Sequence, residues 1–198
     1  GFRPANVLLD PCARAITGWS TYQREAAPGA SPNPHCCLKG LVCERDLFDF
    51  DAHPRPRHSW QQTVIYELHV GGFTQRSDSD VAPDRQGSLL GVIDKIPYLK
   101  QLGVTTIELL PVQAFDPQDA PPGRDNVWGY SPLSWFAPHQ GYVGGGDPMK
   151  ARDQMRNLVA ACHDADLEVL LDVVYNHTTE GNVDGPTLSW RGFADRTY

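Results

Sequence analysis

The sequence predicts an α/β fold on three observations. Runs of β-branched and aromatic residues alternate with amphipathic helical stretches, the two kinds follow one another in the order strand, helix, strand, helix, strand, and the last run is apolar on both faces. The first run, Thr63-Val64-Ile65-Tyr66-Glu67-Leu68-His69-Val70, stops at Gly71-Gly72 and reads as a strand. Ser88 then suits the cap of a helix whose Leu89, Val92, Ile93, Ile96, Leu99 and Leu102 share one face of a 3.6-residue period. Pro97 should bend that helix, and Gly103 stands where a C-terminal cap belongs. A second strand is expected from Val104 to Val112. Asp147-Pro148 joins an N-cap acceptor to a proline at the first helical position, and Met155, Leu158, Val159 and Cys162 supply the buried face of that helix. The third strand, Leu167 to Tyr175, carries Val169-Leu170-Leu171 and Val173-Val174, the pattern of a parallel strand covered by helices. The order makes two consecutive βαβ units with right-handed crossovers.

Residues 1–60 differ in texture. Pro28, Pro32, Pro34, Pro54 and Pro56 interrupt any period, and the apolar runs are short, so this stretch reads as an arm packed on something else. The domain expectation is therefore an arm over 1–60 and an α/β body over 61–198.

Composition excludes several functions. The 17 Lys and Arg stand against 24 Asp and Glu, a formal charge of −7 that lacks the basic footprint nucleic acid demands. No stretch nears the roughly 20 apolar residues of a membrane helix, and no basic n-region followed by an apolar h-region reads as a signal peptide. The five cysteines, Cys12, Cys36, Cys37, Cys43 and Cys162, lack the paired spacing of a zinc site. Reduced thiols in a cytoplasmic protein are the expected state, and no cofactor or metal is expected. The chain starts at Gly1 without Met, which is expected of a clipped chain or a fragment.

Chemistry in parallel α/β folds gathers where strands end in loops. The connection over 113–147 is far longer than the usual βα loop of about 2–6 residues. It holds Phe115, Trp128, Tyr130, Trp135, Phe136 and Tyr142, a content foreign to disordered segments. Each ring either packs the loop down or offers a flat apolar face to a sugar; the Trp128-Gly129-Tyr130 group favours the second reading. At the end of the third strand stands Asp172-Val173-Val174-Tyr175-Asn176-His177. Asp172, in an apolar strand, needs an Arg or several donors, and serves either structure or substrate. His177 is a loop anchor or, beside that carboxylate and amide, a hydrogen-bond donor to substrate. The strand carboxylates Glu67 and Glu108 could form a glycosidase pair across neighbouring strands, though mid-strand positions favour structure. Gly144-Gly145-Gly146 suits a turn better than a phosphate loop, and His69 could line the same face from the end of the first strand.

These residues resemble a specific family. Asp172-Val-Val-Tyr-Asn-His177 is similar to the first signature region of the α-amylase family, the family 13 glycoside hydrolases. Trp128-Gly-Tyr130 and Phe136-Ala-Pro138 resemble the loop after strand two in its isoamylase, debranching and branching members. The blocks His177-Thr-Thr-Glu-Gly181, Gly185-Pro-Thr-Leu-Ser-Trp-Arg-Gly192 and Leu8-Leu9-Asp10-Pro11 with Ala13-Arg14 resemble the bacterial glycogen-debranching branch. The resemblance implies the first three strands and two helices of a (β/α)₈ barrel. It implies retaining hydrolysis of α-1,6 branch linkages in glycogen or amylopectin. By position, Tyr130 would stack on a glucose ring, with Trp128 beside it in the substrate-binding set. Asp172 would orient the site through an arginine on a later strand, and His177 would donate to a sugar hydroxyl. Asn176 is a calcium ligand in many α-amylases but not generally in the isoamylase type. The family's nucleophilic Asp, acid Glu and stabilising Asp belong to strands four, five and seven, beyond residue 198, so Glu67 and Glu108 drop out as catalysts. A complete barrel takes about 250 residues, and the family's amino-terminal β-sandwich is also missing. The expectation is an inactive piece of a debranching enzyme that recognises branched α-glucan. The alternatives are a branching or trehalose-forming relative, a non-catalytic glucan-binding fragment, and a gene fragment that does not fold by itself.

Overall fold

The computed structural model describes residues 4–27, 32–44, 48–144 and 147–196. Pro28, Gly145 and Gly146 lie outside the described residues. The chain packs as two compact units, neither of them contiguous in sequence: 44–112 with 139–173, and 1–43 with 113–138 and 174–198.

In the unit of 44–112 and 139–173, strands β3 (Ile65–Leu68), β4 (Thr106–Leu109) and β7 (Glu168–Leu171) form a parallel sheet in the order β3-β4-β7. Their register pairs Ile65 with Thr106 and Thr106 with Glu168. The expected strands are real but shorter, because the ladder stops where Val70 enters a helix and where the chain leaves Leu109. His69 is not the end of a strand facing a site. It caps helix α1 (Val70–Thr74), its Nδ1 accepting from the Gly72 amide at 2.8 Å, while Nε2 meets the Tyr142 hydroxyl at 2.9 Å.

The helix expected over 89–102 is two helices, α2 (Leu89–Asp94) and α3 (Ile96–Gln101), broken at Lys95. Pro97 accounts for the break, since it suits only the first turn of a new helix. Ser88 accepts from the Gly91 amide, and Gly103 ends the pair at φ 81°. Leu89, Val92, Ile96 and Leu99 are buried as their spacing predicts, whereas Ile93 is half-buried and Leu102, at the end of the second helix, is exposed because the break at Lys95 interrupts the common face. Asp147 accepts from the Met149 amide and opens a 3₁₀ turn over Pro148–Lys150, which runs into α4 (Ala151–Asp164). Leu158 and Cys162 of α4 are buried in the core with Ile107, Leu109 and Leu167. The third strand departs from expectation: Leu170 and Leu171 stay half exposed, because β7 is an outer strand among the described residues.

The unit of 1–43, 113–138 and 174–198 is a small apolar cluster wrapped by irregular chain. Leu9, Ala13, Ile16, Tyr22 and Leu38 of the arm pack with Ala114, Leu133, Ala137 and Leu188. Two short antiparallel pairs frame it: β1 (Ile16–Thr17) with β2 (Lys39–Gly40), and β5 (Gln113–Phe115) with β6 (Pro132–Pro138). The long loop is thus partly a hairpin, with shifted register and prolines only at the ends of β6. A final helix, α5 (Trp190–Ala194), closes the unit.

Candidate functional site

Within that second unit an open cleft of about 530 Å³ is lined by Arg24, Asp119, Asn126, Trp128, Tyr130, Ser131, His177, Thr178, Thr179 and Gly181. Its ledge begins at Asn126, whose backbone N–H donates to the Pro117 carbonyl at 2.8 Å and whose side-chain amide donates to the Asp116 carbonyl at 3.2 Å. The Asn126 side-chain oxygen in turn accepts from the Gly129 amide at 3.3 Å. Gly129 sits at φ 83°, a left-handed conformation that a side chain disfavours, and this reversal sets Trp128 and Tyr130 on either side of it. Both rings remain open to solvent, Trp128 at 59% and Tyr130 at 43% exposure. The other aromatics of the loop do different work. Phe115 is buried; Trp135 donates to the Val174 carbonyl at 2.8 Å and packs against Trp190 at 4.8 Å.

The wall behind the ledge is a polar network. Asp116 is fully buried; its Oδ2 accepts from the Tyr22 hydroxyl at 2.7 Å and from Arg24 at 2.6 Å, and its Oδ1 from the Gln118 amide at 2.9 Å. Burial, and then the Asp116 charge, push the Tyr22 phenol far above its ordinary pKa, so it serves as a neutral donor. Arg24 also reaches Asp119 at 3.0 Å and the Thr179 carbonyl at 2.8 Å. Asp119 accepts from Thr179 at 3.1 Å and from the Ser131 hydroxyl. One carboxylate thus holds the neighbour of Tyr130 and a residue two past His177.

His177 closes the cleft. Its Nε2 lies 2.9 Å from the Tyr130 carbonyl oxygen and its Nδ1 lies 2.9 Å from the Asn176 side-chain nitrogen. Both ring nitrogens have partners within the protein, and the exposed ring lines the cleft.

The two following blocks build the support. Glu180 is 1% exposed, and its carboxylate accepts from the amides of Leu188 (2.7 Å), Ser189 (2.8 Å) and Arg191 (3.1 Å), which caps α5. Arg191 returns hydrogen bonds to the carbonyls of Asn182 (2.6 Å) and Gly185 (3.0 Å) and pairs with Asp195 at 3.1 Å. A Cβ at Gly185 would stand 1.8 Å from the Glu180 carbonyl oxygen, so only glycine fits.

Trp128, Tyr130 and His177 therefore line one cleft. Asp172 belongs to the other unit, half-buried just past β7, its amide donating to the Leu109 carbonyl at 2.9 Å. Glu67 and Glu108 stand in register on β3 and β4, outside the cleft lining. Gly144 is a turn clamped to Gln154 of α4 through bonds of 2.9 and 2.8 Å, which occupies the amide a phosphate would need. No group of three or more His, Cys, Asp or Glu among the described residues could hold a metal ion. The residues missed from sequence are Arg24, Asp119, Asn126, Ser131 and Thr179. Asx and turn chemistry around Asp116–Asp119 could have signalled part of the wall; nothing local marks Arg24.

The model of the α-amylase catalytic-domain family matches residues 73–184. Glycogen debranching enzyme from Pectobacterium atrosepticum is 40% identical over the whole of this chain, and that from an Enterobacter species 38%. This chain spans 30% and 31% of those relatives. Among solved structures, the GBS pullulanase SAP in complex with maltotetraose superposes with a TM-score of 0.70 at 28% identity, over 95% of this chain and 24% of that one. Pullulanase type I from Bacillus subtilis, complexed with maltose, gives 0.63 at 29% identity over 86% of this chain and 23% of that one.

Proposed function

The chain belongs to the α-amylase catalytic-domain family, and from that premise we propose that its parent protein hydrolyses α-1,6 branch linkages of glycogen or amylopectin by a retaining mechanism. The share of this chain in that work is to bind glucan. The observation that carries the reading is the Trp128-Gly129-Tyr130 ledge, two exposed rings held over a polar cleft. The apolar C–H face of a glucose ring suits an aromatic face, and its hydroxyl edge suits Asn126, Thr178 and the carbonyls of the wall. The pairing of Arg24 with Asp116 and Asp119 leaves these carboxylates no need of a cationic ligand, which suits a neutral one.

Hydrolysis needs more than this cleft provides. Retention requires two carboxyl groups about 5–5.5 Å apart across the scissile bond. Among the described residues Asp119 is the carboxylate in the lining, and its oxygens are occupied by Arg24, Thr179 and Ser131. Asp172 we assign to orientation of the substrate in the parent enzyme. The names of the relatives support debranching over branching. The five free thiols fit a reducing, cytoplasmic setting, and no described helix is long and apolar enough to cross a membrane.

Affinity electrophoresis in glycogen gels tests the reading. The chain should be retarded, Trp128→Ala and Tyr130→Ala should each lose most of the retardation, and no reducing ends should appear. Migration of the unaltered chain that ignores glycogen would overturn the binding role; reducing ends released by the chain alone would overturn the division of labour.

A further inference from the structure

Asn176 stands inside the Asp172–His177 motif without lining the cleft, yet its side-chain nitrogen lies 2.9 Å from His177 Nδ1. A carbonyl oxygen can only accept, so the 2.9 Å contact from the Tyr130 carbonyl requires the ring proton on Nε2. A neutral ring with that proton carries a lone pair at Nδ1, and an amide N–H is the partner such a lone pair needs. The two contacts, on opposite sides of the imidazole, demand the same tautomer.

We propose that Asn176 is a positioning residue: its amide fixes His177 as the Nε2–H tautomer, and that ring ties the Trp128–Tyr130 ledge to the 176–181 segment. On its amino side the ledge is held by Asn126 through the Gly129 amide at 3.3 Å, and beyond Tyr130 the Ser131 carbonyl accepts from the Asp116 amide at 3.1 Å, beside the Ser131 hydroxyl bond to Asp119 and the His177 contact. The charged groups lining the same cleft, Arg24 and Asp119, are paired to each other at 3.0 Å, so the direct partners of the ring set its state. The functional weight of the device rests on the glucan-binding reading; the tautomer itself does not.

Long-range ¹H–¹⁵N spectra of the labelled chain at pH 8 resolve the ring directly, and the proton is expected on Nε2 of His177 with a lone pair on Nδ1. Asn176 is exposed, so substitutions there spare the core. Asn176→Asp replaces the donor with a carboxylate that can only accept, so the ring proton should be drawn from Nε2 to Nδ1 in a substantial share of the neutral rings. Asn176→Leu removes the donor, so both tautomers should appear and glycogen affinity should fall about threefold or more, the scale of a weakened hydrogen bond. A proton on Nδ1 in the unaltered chain, an unmoved ring proton in Asn176→Asp, or undiminished glycogen affinity in an Asn176→Leu chain with mixed tautomers overturns the inference. Failure of the unaltered chain to bind glycogen would instead count against the glucan reading, and the spectra would still report the tautomer.

Discussion

Single residues here are governed by what burial does to their polar groups. His139 is the sharpest case. Desolvation lowers its imidazole from 6.5 to about 3, so the folded chain keeps the ring neutral where an unfolded chain would protonate it. The stabilisation tied to this neutral ring is complete above pH 6.5 and is lost as pH falls toward 3, at up to about 1.4 kcal/mol per unit. His139→Leu removes the titration. Urea unfolding at pH 7 and pH 5 should therefore show a stability drop roughly 2 kcal/mol smaller in the variant than in the unaltered chain. Equal drops would show that His139 does not carry the acid sensitivity. The same physics makes Cys162 inert, its thiol pushed up to about 12 by burial, and leaves Cys12 as the exposed sulfur. None of this was visible in sequence. His139 lies in a long aromatic loop whose burial depends on Tyr142 packing edge-on to it at 5.3 Å.

At the scale of elements, local pattern and long-range pairing divided the work. The helices around Leu89, Val92, Ile96 and Leu99 were legible because a 3.6-residue apolar period is written into adjacent residues. The β5–β6 hairpin was not, since its two strands are irregular in register and one is only Gln113–Phe115. The cleft was half legible: Trp128, Tyr130 and His177 announce themselves as exposed chemistry, whereas the Arg24–Asp116 pair joins positions 92 apart with no local signal. The Glu180 and Arg191 blocks, which in sequence carry only the family resemblance, form a support for the fold through their hydrogen bonds. Glu180→Ala would leave three buried amides without an acceptor, so it should cost roughly 3 kcal/mol or more in urea unfolding. Glu180→Gln, which keeps one acceptor oxygen, should cost distinctly less. Equal losses in the two variants would mean that the carboxylate volume, and not its hydrogen bonds, holds the segment.

At the scale of the molecule, the sheet decides behaviour in solution. Its outer strands among the described residues, β3 and β7, show Ile65 at 46% exposure and Leu170 and Leu171 at 45% and 44%. Parallel strands are ordinarily covered on both faces, and an apolar outer strand is a template for pairing with another chain. Relatives more than three times as long supply further chain, and we assign to it the closure of this sheet in the parent protein. The chain by itself should then self-associate through β7 as its concentration rises. A lysine is tolerated at an exposed strand edge and repels a second copy, so Leu171→Lys should shift the sedimentation profile toward monomer. The same substitution inside the complete parent should destabilise it, because the leucine would there be covered. An unaltered chain that stays monomeric at high concentration would show that these strands are protected without partners. The substitution therefore separates an edge the fold leaves open from one that the remainder of the barrel is built to close.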